Sequence, residues 1–293
     1  MSEALDIPVA LVQRLVSAQF PEWADLPIRP VASPGWDNMT YRLGDGLSVR
    51  LPRFERWVGQ VEREQTWLPR LAPHLPLPIP VPRAVGAPGE GYPFPWSVYE
   101  WLDGEPVAPG TLRADELAAF LAALQAIDAT EGPPPQSSNG FRGAALADER
   151  DSPVVAARVR ARIAALDGLA GTDSLTAVWE AGLAAPQWHG PGVWVHGDPA
   201  PTNLLAAGGR LTAVIDFGTL AVGDPAVDLI AAWTVVRADA REAFRAALGV
   251  DDATWARGRV WGLVAMLPHP AELAGAGREL AARRRIDGLL GRG

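Results

Sequence analysis

The chain has 293 residues, 48% of them hydrophobic and 20% charged, with a formal net charge of −8 and no cysteine. That length is large for one hydrophobic core and suits two lobes, while the missing cysteines exclude disulfides and thiolate metal sites. The acidic balance argues against a nucleic-acid partner, which would need a basic face, and no apolar run of about 18 residues marks a membrane span. The N-terminal stretch MSEALDIPVALVQRLV lacks the basic start of a signal peptide, and a reducing cytoplasm is the expected compartment. An acidic cleft would concentrate cations, although solubility alone also accounts for mild acidity. All 26 basic residues are arginine, which together with the Ala, Gly and Pro richness reads as a compositional bias.

In chain order, apolar spacing over Val9, Leu11, Val12, Leu15 and Val16 predicts a helix within 5–20. Strands are expected at 28–32, 39–43 and 47–51, the last two joined by the hairpin signal Gly44-Asp45-Gly46. An amphipathic helix is expected over 57–71. The Pro-rich stretch that follows is unsuited to helix, with strands at 81–85 and 96–101. Beyond Asp103-Gly104 the pattern turns mostly helical. A helix is expected at 114–127, a loop at 132–140, and a second helix opened by Ser152 as N-cap with Pro153 at the first helical position, running to about 166. Short strands are expected at 193–195, 204–206 and 211–215, and helices over most of 225–285. Two domains follow: 1–101, a lobe with a sheet and helix, and 102–293, mostly helical.

The chemistry concentrates in VWVHGDPAPTNLLAAGGRLTAVIDFGTLAVGDPAVDL, residues 193–229. Asp198 is followed five residues later by Asn203, and Asp216 lies 13 residues beyond that. A hairpin broken at Gly208-Gly209 would return Asp216 toward Asn203. Phosphoryl transfer is mostly positioning plus electrostatics, and magnesium takes hard oxygens, typically one or two carboxylates with phosphate oxygens and water. Asp216 suits a metal ligand at the phosphates. Asn203 adds a neutral oxygen that does not repel them, and Asp198 is left to orient and deprotonate an incoming hydroxyl. Asp224 before Pro225 suits a helix N-cap.

His-Gly-Asp-x4-Asn followed by Ile-Asp-Phe-Gly resembles the catalytic loop and magnesium-binding segment of the aminoglycoside phosphotransferase family. The likeness extends over nearly the whole chain, through GWDNMTYRLG, VRLPR, VEREQTWLPRLA, YEWLDGEP and GDPAVDL. It implies an α+β, two-lobed protein-kinase-like fold: an N-terminal nucleotide-binding lobe with antiparallel sheet and helix, and a C-terminal helical lobe with the catalytic loop and acceptor site. It further implies ATP or GTP as donor, Mg2+ as cofactor and a small hydroxylated substrate as acceptor. Asp198 would be the base, with Asn203 and Asp216 as metal ligands. His196 would hold the catalytic loop in shape, and Asp228 would brace that loop by accepting backbone N–H bonds. His74, His189 and His269 show no ligand spacing.

Kinase-like enzymes grip the α- and β-phosphates with a strand lysine paired to a helix glutamate. This chain has no lysine. Arg50 stands at the matching place, with Glu64 as expected partner and Glu62 as the nearby alternative; Arg42 and Arg53 compete less convincingly, and a surface ion pair is the plain alternative. SPGWDN has one glycine where a phosphate loop usually has several, yet backbone N–H groups from Ser33 to Asn38 would still form a nest for phosphate. Adenine or guanine is expected to meet backbone groups of the junction from Tyr99 to Leu102, Glu100 among them. For the acceptor, Asp228, Asp239, Glu242, Asp251 and Asp252 would suit the ammonium groups of an aminoglycoside. Arg237, Arg241 and Arg245 read as a solvated face, and Trp233, Trp255 and Trp261 suit either a macrolide pocket or the core. A metabolic kinase for a sugar, amino alcohol or homoserine-like hydroxyl, and a pseudokinase, are the competing readings.

Overall fold

The computed structural model describes residues 4–31, 37–146, 153–166, 172–267, 283–284 and 286–290. The chain forms two compact units. The first comprises residues 1–104 together with Thr212–Gly218, and the second comprises residues 105–211 and 219–293. A single cut between residues 101 and 102 misses the return segment, which brings Asp216 into the first unit.

The first unit is built on a five-stranded antiparallel sheet of order β1-β2-β3-β5-β4. Its strands are β1 (Ile28–Pro30), β2 (Asn38–Leu43), β3 (Leu47–Pro52), β4 (Pro82–Gly86) and β5 (Trp96–Glu100). Gly44 takes a left-handed φ of 59° in the three-residue turn from β2 to β3, which sets Leu43 opposite Leu47. Alternation along the strands sends Tyr41, Leu43, Val49, Leu51, Trp96 and Val98 into one core. Helix α1 (Val9–Gln19) closes that core with Leu11, Val12, Leu15 and Val16, the face its 3.6-residue period predicts. Helix α2 (Val58–Leu71) buries Val61, Glu64, Leu68 and Leu71 along one stripe, and Gln65 on it donates to Ser97 Oγ of β5 at 2.8 Å. The charged member of that stripe, Glu64, is thereby held over the sheet. Strand β3 is central, so Arg50 lies between Thr40 and Ser97 in register. The return segment is tied in by Thr212 Oγ1, which donates to the Asp103 carbonyl at 2.8 Å, and by Val214 N–H, which donates to the Pro78 carbonyl at 3.1 Å.

The second unit is mainly helical: α3 (Ala114–Gln125), α4 (Pro153–Ala164), α5 (Thr172–Ala184), α6 (Ile230–Thr234), α7 (Arg241–Leu248) and α8 (Asp252–Met266). Leu117, Phe120, Leu121 and Leu124 of α3 and Phe244 of α7 are buried where those helices pack. Helix α5 was not expected from the sequence, because its buried residues are only Leu175, Trp179 and Gly182, a thin stripe in an alanine-rich background. Two short antiparallel pairs frame the loop from His196 to Asn203: β6 (Glu105–Pro106) with β8 (Leu204–Ala207), and β7 (Val193–Val195) with β10 (Ala221–Gly223). The chain then leaves this unit along β9 (Arg210–Val214). The expected N-cap Ser152 and His269 lie outside the described residues. Among the described residues no helix is long and apolar enough to cross a membrane.

Candidate active site

In the first unit, Arg50 is the hub. Its Nη1 donates to Glu64 Oε1 at 2.8 Å and its Nη2 to Asp216 Oδ1 at 2.6 Å. Glu64 is almost fully buried, with its side chain 3% exposed, against 17% for Arg50 and 45% for Asp216. Burial would lower the Arg50 guanidinium, but the neighbouring charges of Asp216 and Glu64 outweigh it and hold the group above its ordinary value. The second oxygen of Glu64, Oε2, accepts from the Tyr99 hydroxyl at 2.5 Å. Burial, and then the Glu64 charge, push that phenol well above its ordinary value, so it stays a donor. Asp37 belongs to the same neighbourhood. Desolvation raises its carboxyl, the Asp216 charge raises it further, and a hydrogen bond with Gln60 works the other way. Arg63, on α2, donates from Nη1 to the Gly218 carbonyl at 2.7 Å.

Asp216 adopts φ 64°, the left-handed region, which is uncommon for a residue with a Cβ. Strain of this kind persists where surrounding contacts over-determine it, and it clusters at functional positions. Here the Arg50 bond on the side chain and the Arg63 bond two residues on bracket the residue.

In the second unit, the loop after β7 carries Asp198 and Asn203. Asn203 Nδ2 donates to the Asp198 carbonyl at 2.9 Å and to Asp198 Oδ2 at 3.3 Å. That fixes the amide so that its Oδ1 is the remaining acceptor, in contact with Thr202 Oγ1 at 3.3 Å. His196 is fully buried, and its Nδ1 accepts from the Asp198 N–H at 3.2 Å. That bond turns the loop back onto the imidazole. Asp228 braces the loop: Oδ2 accepts from His196 N–H at 2.9 Å and Oδ1 from Gly197 N–H at 2.7 Å. Burial pushes this carboxyl up to about 6, against the pull of His196 and the two N–H donors. Gly197 has φ 84°, and a Cβ there would come within 2.8 Å of the Thr219 carbonyl oxygen; only glycine fits.

Asp224 caps the turn that presents Asp228, accepting from Ala226 N–H at 3.0 Å, with Pro225 at the first position of the turn. It also forms a buried fork with Arg257 of α8: Nε to Oδ2 at 2.7 Å and Nη2 to Oδ1 at 3.2 Å. Arg257 donates further to Thr254 Oγ1 at 3.1 Å and to the Pro186 carbonyl.

The expected pairing of Arg50 with Glu64, rather than Glu62, is present. Arg42 instead lies over the Trp101 ring at 4.2 Å. Asn38 is buried at the start of β2, Glu100 is exposed at the end of β5, Leu102 follows it, and Ser33 falls outside the described residues. Arg237, Arg241 and Arg245 do not form one solvated face. Arg237 precedes α7 and pairs with Asp239, whereas Arg241 turns inward to the Ala232 and Gly288 carbonyls at 2.8 and 2.9 Å. Arg245 pairs with Asp252, Asp251 caps α8 by accepting from Thr254 N–H at 2.7 Å, and Asp228 is enclosed. Four of the five acids proposed for acceptor contact, Asp228, Asp239, Asp251 and Asp252, therefore have partners within the chain. Trp233 and Trp261 are core, and the Trp255 ring packs tilted at 41° against Trp233, centroids 4.9 Å apart. Sequence reasoning missed the side chains of Tyr99, Asp37, Arg63 and Arg257. Only Tyr99 left a trace, as a phenol in the apolar strand WSVYE, where a buried hydroxyl needs a partner.

An antiparallel sheet unit with a buried arginine–glutamate pair, and a helical unit with a braced Asp-x4-Asn loop, describe a two-lobed α+β protein-kinase-like fold. A family model described as the phosphotransferase enzyme family matches residues 28–261, and the chain belongs to that family; it is a small-molecule kinase. Among solved structures it is similar to the GDP complex of wild-type aminoglycoside 2'-phosphotransferase-IIIa, with TM-score 0.67 and 17% identity over 96% of this chain and 97% of that one. It is also similar to macrolide 2'-phosphotransferase MphH from Brachybacterium faecium, with TM-score 0.57 and 25% identity over 89% and 92%. A third is the streptomycin-ATP-APH(2")-IIa ternary complex, with TM-score 0.57 and 17% identity over 98% and 97%. No curated protein sequence matches the chain.

Proposed function

We propose that the protein transfers the γ-phosphate of ATP or GTP, with Mg2+, to a hydroxyl of a small antibiotic of the aminoglycoside or macrolide kind, in the cytoplasm. The observation that carries the reading is the Arg50–Glu64 ion pair, with the second terminal nitrogen of Arg50 on Asp216. A buried glutamate that positions a cation beside an exposed carboxylate suits a triphosphate and its metal. Asp198 accepts the proton of the acceptor hydroxyl as that oxygen bonds to the γ-phosphorus and the bridging oxygen leaves with the nucleoside diphosphate. Arg50 holds the phosphates of the donor, assisted by Asn38. The junction at Glu100 and Leu102 receives the base.

Asp216 and Asn203 are the residues that would hold Mg2+, which when bound neutralises charge on the phosphates. Each donor suits the ion by its own chemistry: Asp216 is a carboxylate open to solvent on one side, and Asn203 is an amide whose nitrogen is committed to Asp198, so that its oxygen would be the ligand. Among the described residues no cluster of three or more His, Cys, Asp or Glu makes a closed metal cage, and a magnesium site completed by phosphate oxygens and water requires none.

Phosphate transfer from γ-labelled ATP and GTP to a panel of aminoglycosides, macrolides and small metabolic alcohols tests the proposal, with Asp198→Ala as control. The expected result is a labelled antibiotic whose formation falls by roughly 10²–10⁴ in the variant, the rate a positioned base supplies, with nucleotide affinity unchanged. Label on a metabolic alcohol alone would overturn the antibiotic assignment, and turnover surviving within about tenfold would overturn the assignment of the base.

A further inference from the structure

Glu64 offers two oxygens, and a guanidinium facing a carboxylate ordinarily takes both in a parallel fork. The Arg257–Asp224 pair in the other unit does this. Arg50 does not. It reaches Glu64 through Nη1 alone, and its Nη2 is turned to Asp216. The other oxygen of Glu64 is occupied by Tyr99, whose hydroxyl donates to Oε2 at 2.5 Å. Tyr99 is 3% exposed and Glu64 2% exposed, so no solvent competes for that oxygen. Strand β5 fixes the tyrosine by pairing on both edges, with Ser48 of β3 and Pro82 of β4. The phenol, held well above its ordinary value by burial and the Glu64 charge, donates throughout the working pH range.

We infer that Tyr99 is a positioning residue for the reaction: by holding Glu64 Oε2 it orients the carboxylate so that Arg50 meets it through Nη1 alone, which disfavours a fork and keeps Nη2 turned toward the donor phosphates. This deepens the reading of Arg50 as the phosphate-binding residue and rests on it. A lysine has a single ammonium and cannot fork on a carboxylate in this way. An arginine in the same place has several N–H groups, and the way its partner is held sets which of them faces the phosphates. Tyr99 sets that orientation through Glu64, and Asp216 marks where Nη2 points.

The test is a pair of substitutions, Tyr99→Phe and Arg50→Lys, made singly and together. Nucleotide Kd is measured by equilibrium binding, KM and kcat by turnover, and folding by thermal melting. In the Arg50 background, Tyr99→Phe is expected to weaken nucleotide binding and raise nucleotide KM by roughly tenfold, the scale of one charge-assisted hydrogen bond, with kcat little changed. In the Arg50→Lys background the same substitution is expected to change Kd less than about twofold. A purely structural tyrosine would cost the same in both backgrounds, and that outcome overturns the inference, as does an unchanged Kd for Tyr99→Phe alone. Glu64→Gln supplies a second measurement, because an amide presents one oxygen only. Adding Tyr99→Phe to it should leave Kd where Glu64→Gln alone puts it, and a further tenfold loss would refute the orienting role. Arg50→Ala separates the two layers. If nucleotide Kd is unaffected by it, both the phosphate-binding reading and this inference fall; if Kd rises while Tyr99→Phe has no effect, only the inference does.

Discussion

Arg50 and Asp216 hold each other at 2.6 Å, yet the proposed reaction asks each to face a ligand. Arg50→Ala should therefore raise nucleotide KM, and unchanged kinetics would show that another residue holds the phosphates. The backbone at Asp216 adds a second constraint. Asparagine tolerates the left-handed region better than other residues with a Cβ, and a β-branched residue tolerates it worst. Asp216→Asn should melt close to the wild type while its Mg2+ dependence is lost, whereas Asp216→Val should lose about 1–2 kcal/mol more stability. Parallel thermal melts and a magnesium titration distinguish the two effects; equal melts for Asn and Val would mean that φ 64° carries no cost.

At the scale of elements, the short turn from Asp224 to Asp228 joins the loop to α8. The Asp224–Arg257 pair is almost wholly buried, and removing one partner of such a pair leaves an uncompensated charge at a cost of about 3–5 kcal/mol. Asp224→Ala should show a loss of that size in urea unfolding, and a loss below about 1 kcal/mol would mean that the pair is dispensable. Asp228 sets a pH dependence of opposite sense to an ordinary paired carboxylate. Its carboxyl ionises near 3.8 when unfolded and about 6 when folded, so between those values the folded protein keeps a proton that the unfolded chain has released. Its contribution is full below about pH 4 and is lost as pH rises through about 6, some 3 kcal/mol in all. The stability of wild type relative to Asp228→Asn should fall across that window; parallel curves would assign the proton elsewhere.

The same elements explain what the sequence made legible. Strands β2, β3 and β7 and helix α1 stand close to their expected places because each is specified by its own alternation or period and by a local turn such as Gly44-Asp45-Gly46. The spacing from Asp198 to Asn203 was legible for the same reason, since both residues lie in one loop and are hydrogen-bonded to each other. Arg257 meets Asp224 from 33 residues away and Tyr99 meets Glu64 from 35. Nothing in the local pattern of α8 announces such a partner, and the phenol in β5 says that one is needed but not which. The inward turn of Arg241 was hidden likewise, because its acceptors are backbone carbonyls that any residue would carry.

For the whole molecule, the net charge of −8 favours encounter with cations at low ionic strength. If the acceptor is a polycationic aminoglycoside, its KM should rise severalfold from about 0.05 to 0.3 M ionic strength as screening shortens the reach of the field. A KM that stays flat would point to a neutral or weakly charged acceptor. The division into units has a temporal side as well. The first unit is discontinuous in sequence, 1–104 plus Thr212–Gly218, and a ribosome delivers those pieces far apart. While the intervening residues are being made, the nascent sheet can set Arg50 against Glu64 but has no Asp216 to complete the set, so the first unit to emerge is also one that translation finishes late. A chain released before Thr212 could fold its sheet and still have no Asp216 to offer a metal.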